Sequence, residues 1–352
     1  MAVVTLPAAT TAARSPARAR RRWGFLARRF GFYLAAAWSA ITLNFFLPRL
    51  MPGNASGAII VKLESVSGQQ MSADQVEAIQ KIFGNPHANL FSQYVAYLGQ
   101  LAHLNLGVSI SNYPTPVSDL LWQGLPWTLM LVGVTTVLAF VIGTGLGALA
   151  GWKAGSRFDT IVSPLTTFIS AIPYFWTALL ALYFFGFQLG WFPLSGGYDP
   201  DLASGFSPAF ALSVMRYGAL PAATIVFSAL GGWLLGMRNM TVTTVREDYV
   251  LLAQAKGLTG RRVMLRYAAR NAILPNFTGF ALALGHVVGG ALLTEVVFNY
   301  PGIGYLLYTS VQQRDYPVMQ GVFLIITLTV LLANLLADSV YILLDPRIRE
   351  GA

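Results

Sequence analysis

Six apolar runs, each long enough to cross a bilayer, leave this chain few folds to choose from. They cover about 30–48, 126–150, 161–187, 218–237, 275–297 and 319–343, and a transmembrane helix needs about 20 apolar residues. The expected fold class is all-α integral membrane, with six transmembrane helices and a helical insertion between the first two. The second run, LPWTLMLVGVTTVLAFVIGTGLGALAG, carries no charge. Its Gly143, Gly145, Gly147 and Gly151 predict a flat face for close helix packing. Only 11% of the chain is charged, against about 25% in a soluble domain. Cysteine is absent, which excludes disulfides and thiolate metal sites. His87, His103 and His286 are scattered, so no metal site is expected.

The net charge of +9 has a positional explanation. Segments 1–29, 151–160, 238–274 and 344–352 hold 18 of the 23 Lys and Arg; Arg49, Lys62, Lys81, Arg216 and Arg314 lie elsewhere. The excess of basic residues in alternate loops is the positive-inside pattern. It puts both termini in the cytoplasm and accounts for the charge without nucleic acid. Arg20–Arg22, Arg28 and Arg29 precede the first run as in a signal peptide. That run is too long for a signal peptide and lacks a small-residue cleavage site, so a retained helix is expected. Residues 1–22 read as an irregular Ala/Arg/Thr/Pro tail, solvated or touching anionic lipid. The organisation expected is a basic tail (1–29), helix one (30–48), an outer helical segment (49–125), a five-helix core (126–343) with an inner loop (238–274), and an inner C-terminus (344–352).

In the outer segment, Ser72 and Gln75 make a capping box for a helix through Phe83, stopped by Gly84, Asn85 and Pro86. NLFSQYVAYLGQLAHL sets Leu90, Tyr94, Leu98 and Leu101 on one helical face. The segment reads as a cap on the outer membrane face, its stripe buried against the helices; the sharper reading is a docking surface for an external partner.

The inner loop is more ordered than a basic connector requires. Asp248 and Tyr249 lead into Ala253, Ala255 and Gly257, small residues that permit close backbone approach. Gly257 suits a left-handed helix end, and Thr259 starts a second helix whose Arg261, Arg262, Arg266 and Arg270 form a cationic face. Leu265 and Tyr267 anchor it, and Leu274-Pro275 returns the chain to the membrane, with Pro at a first helical turn. Two short helices are expected, the first a peg for another protein.

The stretch REDYVLLAQAKGLTGRRVMLRYAARNAILPN resembles the coupling loop of bacterial ABC-importer permeases, in particular the first permease of the dipeptide/oligopeptide/nickel family. Ala253 and Gly257 match that loop's second Ala and its Gly, while Leu251 and Leu252 stand where Glu-Ala is general. QYVAYLGQLAHLNLGVS, PVSDLLWQGLPWTLML, IPYFW, LGWFPLSGG, ALLTEVVFNYPGIGYLL, RDYPVMQGV and NLLADSVYILLDPRI also match, in family order over about 25–349. FGNPHANL, MPGNA and AIPYFWTALL depart from the family pattern, mostly on the outer side.

The resemblance implies a transport subunit rather than an enzyme, with no catalytic residue of its own. Its implied partners are a second, similar permease, two cytoplasmic ATPases that bind ATP and Mg, an extracytoplasmic solute-binding lipoprotein, and lipid. It implies the bacterial inner membrane as location and peptides as solute; oligosaccharide, nickel and haem carriers share the architecture. In agreement, the sequence holds no G-x-x-x-x-G-K-[ST] loop. Asp248, Tyr249, Ala253, Ala255, Gly257, Arg261, Leu274 and Pro275 are the implied ATPase-coupling residues. Polar groups inside spans are costly and often functional. Candidates for the pathway are His286, Thr294, Glu295, Asn334 and Asp338, with Pro173, Tyr174 and Phe175 of the PYFW run. Glu295 and Asp338 lie near span ends, where a structural bond is the commoner role; PYFW suits a channel lining or a packed core. Gly289-Gly290 suits close packing at a subunit interface. A receptor would carry a cytoplasmic signalling domain, and an intramembrane protease paired aspartates, a Ser/His pair or HExxH; the chain has none of these.

Overall fold

The computed structural model describes residues 16–46, 50, 55–83, 89–205, 207–289 and 291–344. Among them the structure is helical, and the one extended pairing is an isolated bridge between Val108 and Pro116. Chain order gives α1 (Pro16–Phe46), α2 (Ala55–Ser67), α3 (Ala73–Phe83), α4 (Leu90–Ala102), α5 (Val117–Trp152), α6 (Arg157–Ala171) and α7 (Tyr174–Ala181). A π-helical turn, Leu182–Gln188, extends α7. There follow α8 (Pro208–Thr244), α9 (Asp248–Ala255), α10 (Gly260–Val263), α11 (Ala269–Gly285), α12 (Leu292–Val297), α13 (Ile303–Gln312) and α14 (Tyr316–Leu344).

By length and composition, α5, α8 and Tyr316–Leu335 of α14 can each cross a membrane. The count rises to five if α6 with α7, bent by 94°, and the helices from Gly260 to Val297, bent by 47°, each make one span. The first run appears as a shorter apolar helix, Phe30–Phe46. Its helix begins at Pro16, inside the tail expected to be irregular; the Ala and Arg of that stretch are strong helix formers. The remainder of the tail, the Gly84-Asn85-Pro86 stop and the C-terminus from 345 lie outside the described residues.

At the start of two runs, proline lies inside a helix. The run at about 126–150 lies within a longer helix, α5, which begins nine residues before Pro126, at Val117. Pro275 lies inside α11 rather than in its first turn, and a π-helical turn, Met264–Ala268, joins α10 to α11. The chain therefore enters this span helically from Gly260. Such interior prolines are tolerated in membrane helices because local π adjustments and neighbouring groups re-satisfy the backbone.

The centre of the bundle is the contact of α5 with α8. A Cβ on Gly143 would meet Trp233 Cβ at 2.6 Å; on Gly147, the Leu234 carbonyl; on Gly151, the Arg238 carbonyl and Thr241 Cβ, both at 2.6 Å. Partner numbers rise with the glycine numbers, so the two helices run parallel. Gly145 is the exception: nothing lies within 4 Å of its Cβ position, and it faces away from α8. The face is built from a spacing of four, as one helical stripe requires. Its 37 residues make α8 about 55 Å long at 1.5 Å per residue, well beyond the hydrocarbon core.

The segment between α1 and α5 is not an independent unit. Ile59 of α2, Ile79 of α3 and Ile110 share one buried cluster with Val117, Leu121, Ile303 and Met319. The capping box is formed: the Ser72 amide donates to Gln75 Oε1 at 2.9 Å, and the Gln75 amide to Ser72 Oγ at 3.4 Å. On α4, Tyr94, Leu98 and Leu101 are half-buried but Leu90 is exposed. Tyr94 shares a 2.7 Å hydrogen bond with Thr42 of α1, and Phe45 packs against Tyr94 and Tyr97. The loop before α5 is held by Asp315, fully enclosed, which accepts from Ser109 Oγ (2.5 Å) and from the Ser111 amide (2.8 Å) and hydroxyl (2.6 Å).

Gly147→Ala is expected to lower stability by about 1–3 kcal/mol, the usual cost of overpacking, because backbone is what its methyl meets. Gly145→Ala is expected to leave the thermal midpoint of the purified subunit unchanged. Unfolding of the two variants in detergent checks the contrast.

Candidate functional site

The peg expected from the sequence is a two-helix elbow at the Trp152 end of α5. Three residues after α8 ends, α9 begins at Asp248. It stops at Gly257, whose φ of +72° is the left-handed end that glycine permits without strain. The Gly257 amide donates to the Gln254 carbonyl (2.9 Å) and the Leu258 amide to the Ala253 carbonyl (3.4 Å), a Schellman pairing. Thr259 then opens α10. Val250, Ala253 and Val263 are buried together, flanked by Trp152, Leu258 and Tyr267. Ala253 thus faces inward, and its small side chain lets α9 lie close to Trp152. Tyr249 is tied down by Asn271 Nδ2, which donates to its hydroxyl at 2.8 Å.

The outer face of the elbow carries Leu251 and Leu252, 49% and 56% exposed, with Asp248, Ala255, Gly257 and Arg261 also exposed. A Cβ on Gly257 would meet nothing within 4 Å. Between the end of α8 and the start of α9, an open cleft of ≈ 320 Å³ is lined by Val242, Thr243, Arg246, Glu247 and Asp248. Two adjacent exposed leucines, on a helix whose first turn borders a polar cleft, form a surface that another protein can cover. Leu274 is 60% exposed and Pro275 is exposed; both lie on α11, away from the elbow.

Behind the elbow is a charged corner that the sequence did not single out. Asp159, 4% exposed at the start of α6, accepts from Arg238 Nε at 2.6 Å and Nη2 at 2.7 Å. It also accepts from the Gly155 amide (2.9 Å) and Ser163 Oγ (2.7 Å). The two-pronged Arg238 bond, with help from Gly155 and Ser163, holds the Asp159 carboxyl well below the usual carboxylate range against the opposing effect of burial. Asn276 is a second feature the sequence did not single out: it is buried in α11 and donates to the Trp233 carbonyl at 2.9 Å and Thr144 Oγ1 at 3.3 Å, joining α11, α8 and α5.

About 36 Å along α5, at 1.5 Å per residue, its Thr128 end holds a second polar knot. Glu295 is fully enclosed. Its Oε1 accepts from Thr128 Oγ1 (2.8 Å), and its Oε2 from the amides of Gly304 (2.7 Å) and Tyr305 (3.2 Å). Thr128 Oγ1 in turn accepts from the Ile303 amide at 2.7 Å. The first three amides of α13 are thereby satisfied, and the carboxylate faces the positive end of that helix. Gly302 and Gly304 leave room for it: a Cβ on Gly302 would strike the carboxylate itself. Trp127 stacks on Tyr198 and meets Tyr300 edge-on, and the Gly196 amide donates to the Phe298 carbonyl at 2.9 Å. Three separate stretches, PWT, LSGGY and EVVFNYPGIG, meet here.

The remaining pathway candidates are dispersed. Pro173 caps α7 at the 94° break, with Pro173 and Tyr174 exposed and Phe175 half-buried, so this run lies on the chain's surface and not in its core. His286 is exposed at the end of α11, its Nδ1 2.9 Å from the Leu282 carbonyl of its own helix. Thr294 is buried and Asn334 half-buried. Gly289 makes only ordinary contact, 3.7 Å to Ile326, whereas a Cβ on Gly285 would collide with Ala333; the close approach of α11 to α14 is at Gly285. Gly290 and the Asp338 side chain lie outside the described residues.

Residues 143–350 match the family described as binding-protein-dependent transport system inner membrane component. The chain is similar to the di/tripeptide transport system permease protein of Pseudomonas aeruginosa (strain UCBPP-PA14), 34% identical over 342 residues, covering 93% of this chain and 98% of that protein. It is 35% identical over 277 residues to the oligopeptide transport system permease protein of Bacillus subtilis (strain 168), 78% of this chain and 85% of that one. It is 31% identical over 344 residues to the probable D,D-dipeptide transport system permease protein of Escherichia coli (strain K12), 94% and 98% of the two chains.

Glu295→Ala removes the acceptor of two buried amides and of Thr128. Each orphaned buried group costs about 1–3 kcal/mol, so a large fall in thermal midpoint is expected for the detergent-purified subunit. Thr128→Val, which frees one amide and one carboxylate oxygen, is expected to fall between this variant and the unsubstituted chain.

Proposed function

The chain belongs to the family of inner membrane components of binding-protein-dependent transport systems, and from that premise we propose that it forms half of the translocation pathway of an ATP-driven importer of di- or oligopeptides. The other half is a second, similar permease. Two cytoplasmic ATPases supply ATP and Mg chemistry, this chain binding no cofactor, and an extracytoplasmic lipoprotein delivers the solute. Peptide is favoured as the solute class because all three relatives described above are named for peptide or dipeptide transport.

In this reading the chain crosses the membrane six times with both termini in the cytoplasm, the broken helices counting as single spans. Residues 49–125 cap the outer face around the Thr128 end of α5, where the lipoprotein docks. The elbow at the Trp152 end enters a groove on an ATPase. The observation that carries this is the pair of exposed leucines on a helix whose other side is buried against its own chain. Asp248, Tyr249, Ala255, Gly257 and Arg261 meet the ATPase, Ala253 supports α9 from beneath, and Leu274 and Pro275 set the exit of the chain into lipid. Closing of the ATPase pair pulls α8 and α11 and opens the pathway outward, a two-state motion biased by ATP and solute. Pro173, Tyr174, Phe175, His286, Gly289, Gly290, Thr294, Asn334 and Asp338 are the pathway positions, with Glu295 holding the outer end in shape.

Gly257→Arg tests the elbow. A side chain at this open, left-handed position disturbs little within the chain beyond roughly 1–2 kcal/mol of backbone strain, but it projects from the proposed contact. The expected result is normal membrane insertion with ATP hydrolysis uncoupled from uptake of radiolabelled dipeptide. Unimpaired uptake would contradict the elbow's role.

A further inference from the structure

α6 follows α5 in the chain, yet its main attachment is to α8. Two contacts make it. Near the elbow, Arg238 grips Asp159 through both Nε and Nη2. Seven residues back along α8, a Cβ on Gly231 would strike Ser170 Oγ and come within 2.9 Å of the Thr166 carbonyl, so the two backbones nearly touch. Numbers fall on α8 as they rise on α6, and the pair is antiparallel. The ion pair and the glycine contact are about 10 Å apart at 1.5 Å per residue, which fixes the angle between the helices as well as their spacing. Immediately beyond the glycine contact, α6 ends at Ala171 and the chain turns 94° into Pro173, Tyr174 and Phe175.

We propose that Asp159 and Arg238 are positioning residues that make α6 travel with α8, carrying the stroke of the elbow to the Pro173 break; this rests on the transport reading above. The geometry favours a rigid link. All the acceptor capacity of Asp159 is engaged, with Gly155 and Ser163 taking what Arg238 leaves, and the carboxylate is 4% exposed. Parting the two helices at this point would break both prongs and leave Asp159 without its charged partner. Arg238 lies six residues before the end of α8, one turn ahead of Val242 of the cleft, so displacement of α9 reaches it through about one turn and a half of continuous helix.

The natural chain has no cysteine, so spin labels can be placed at Ile161→Cys on the exposed face of α6 and Gln254→Cys on α9. The assembled transporter, with its ATPases and lipoprotein, is reconstituted in lipid nanodiscs, and the label distance is measured nucleotide-free and with ATP trapped. The proposal expects one distance in both states, and a distance that shifts or broadens with ATP once Asp159→Asn is added. In proteoliposomes, Asp159→Asn is expected to lower dipeptide uptake per ATP hydrolysed several-fold while hydrolysis continues. Arg238→Lys, which keeps the charge but not the two-pronged grip, is expected to give an intermediate loss. A purely structural role would lower both activities together and leave their ratio unchanged, which would overturn the proposal. So would a distance that changes with ATP in the transporter carrying only the two labels, a result that needs no Asp159 variant to assemble. Absence of ATP-driven uptake without any substitution would instead strike the transport reading itself.

Discussion

The near-contact of two backbones, α5 against α8, is what the rest of the molecule is built around. Inside a bilayer no hydrophobic effect drives helices together, so association depends on close packing and on hydrogen bonds between them. Gly143, Gly147 and Gly151 remove every Cβ from one stripe of α5, and Leu230, Leu234, Met237, Arg238 and Thr241 of α8 fill the space. α8 in turn meets α6 at Gly231 and α11 at Gly236, where a Cβ would lie 2.7 Å from Asn276 Oδ1. One long helix thereby touches most of the core and runs on directly into the elbow.

A carboxylate marks each end of this bundle, and each of the two is satisfied locally. At the Thr128 end an acid is enclosed at the positive end of a helix, with backbone amides and one hydroxyl as partners. At the Trp152 end an acid is paired with a guanidinium. The partners differ in kind. The first backbone amides of α13 have no intrahelical partner and must be met where the helix starts, and Glu295 meets two of them. The Asp159–Arg238 pair joins two separate helices, and it does so near the end of α8 that leads into the elbow.

Much of this was legible because it is local. The Ser72–Gln75 box, the left-handed Gly257, the Thr259 start and the small-residue face of α5 each follow from residues within a few positions of one another. What stayed hidden needs topology. Asp159 and Arg238 are 79 positions apart, Thr128 and Glu295 167, and Ser109 and Asp315 206; no periodicity links them. Arg238 counted in the sequence as one more inner-loop charge, and Glu295 as a polar group in a span. The three glycines of the α5 face could not be told from Gly145, which lies on the other side, without knowing where α8 sits. Pro275 misled: it reads as a first-turn proline and is interior to α11.

A long helix links an elbow with two exposed leucines at one end to an enclosed carboxylate knot at the other. The proposed function turns on the elbow. Amide hydrogen exchange of residues 248–258 can be followed in the purified permease pair and again after the ATPase subunits are added. The account predicts marked slowing confined to this segment and the adjoining end of α8, with no change at α13. Equal exchange rates at 248–258 in the two preparations, with the ATPases bound, would contradict it.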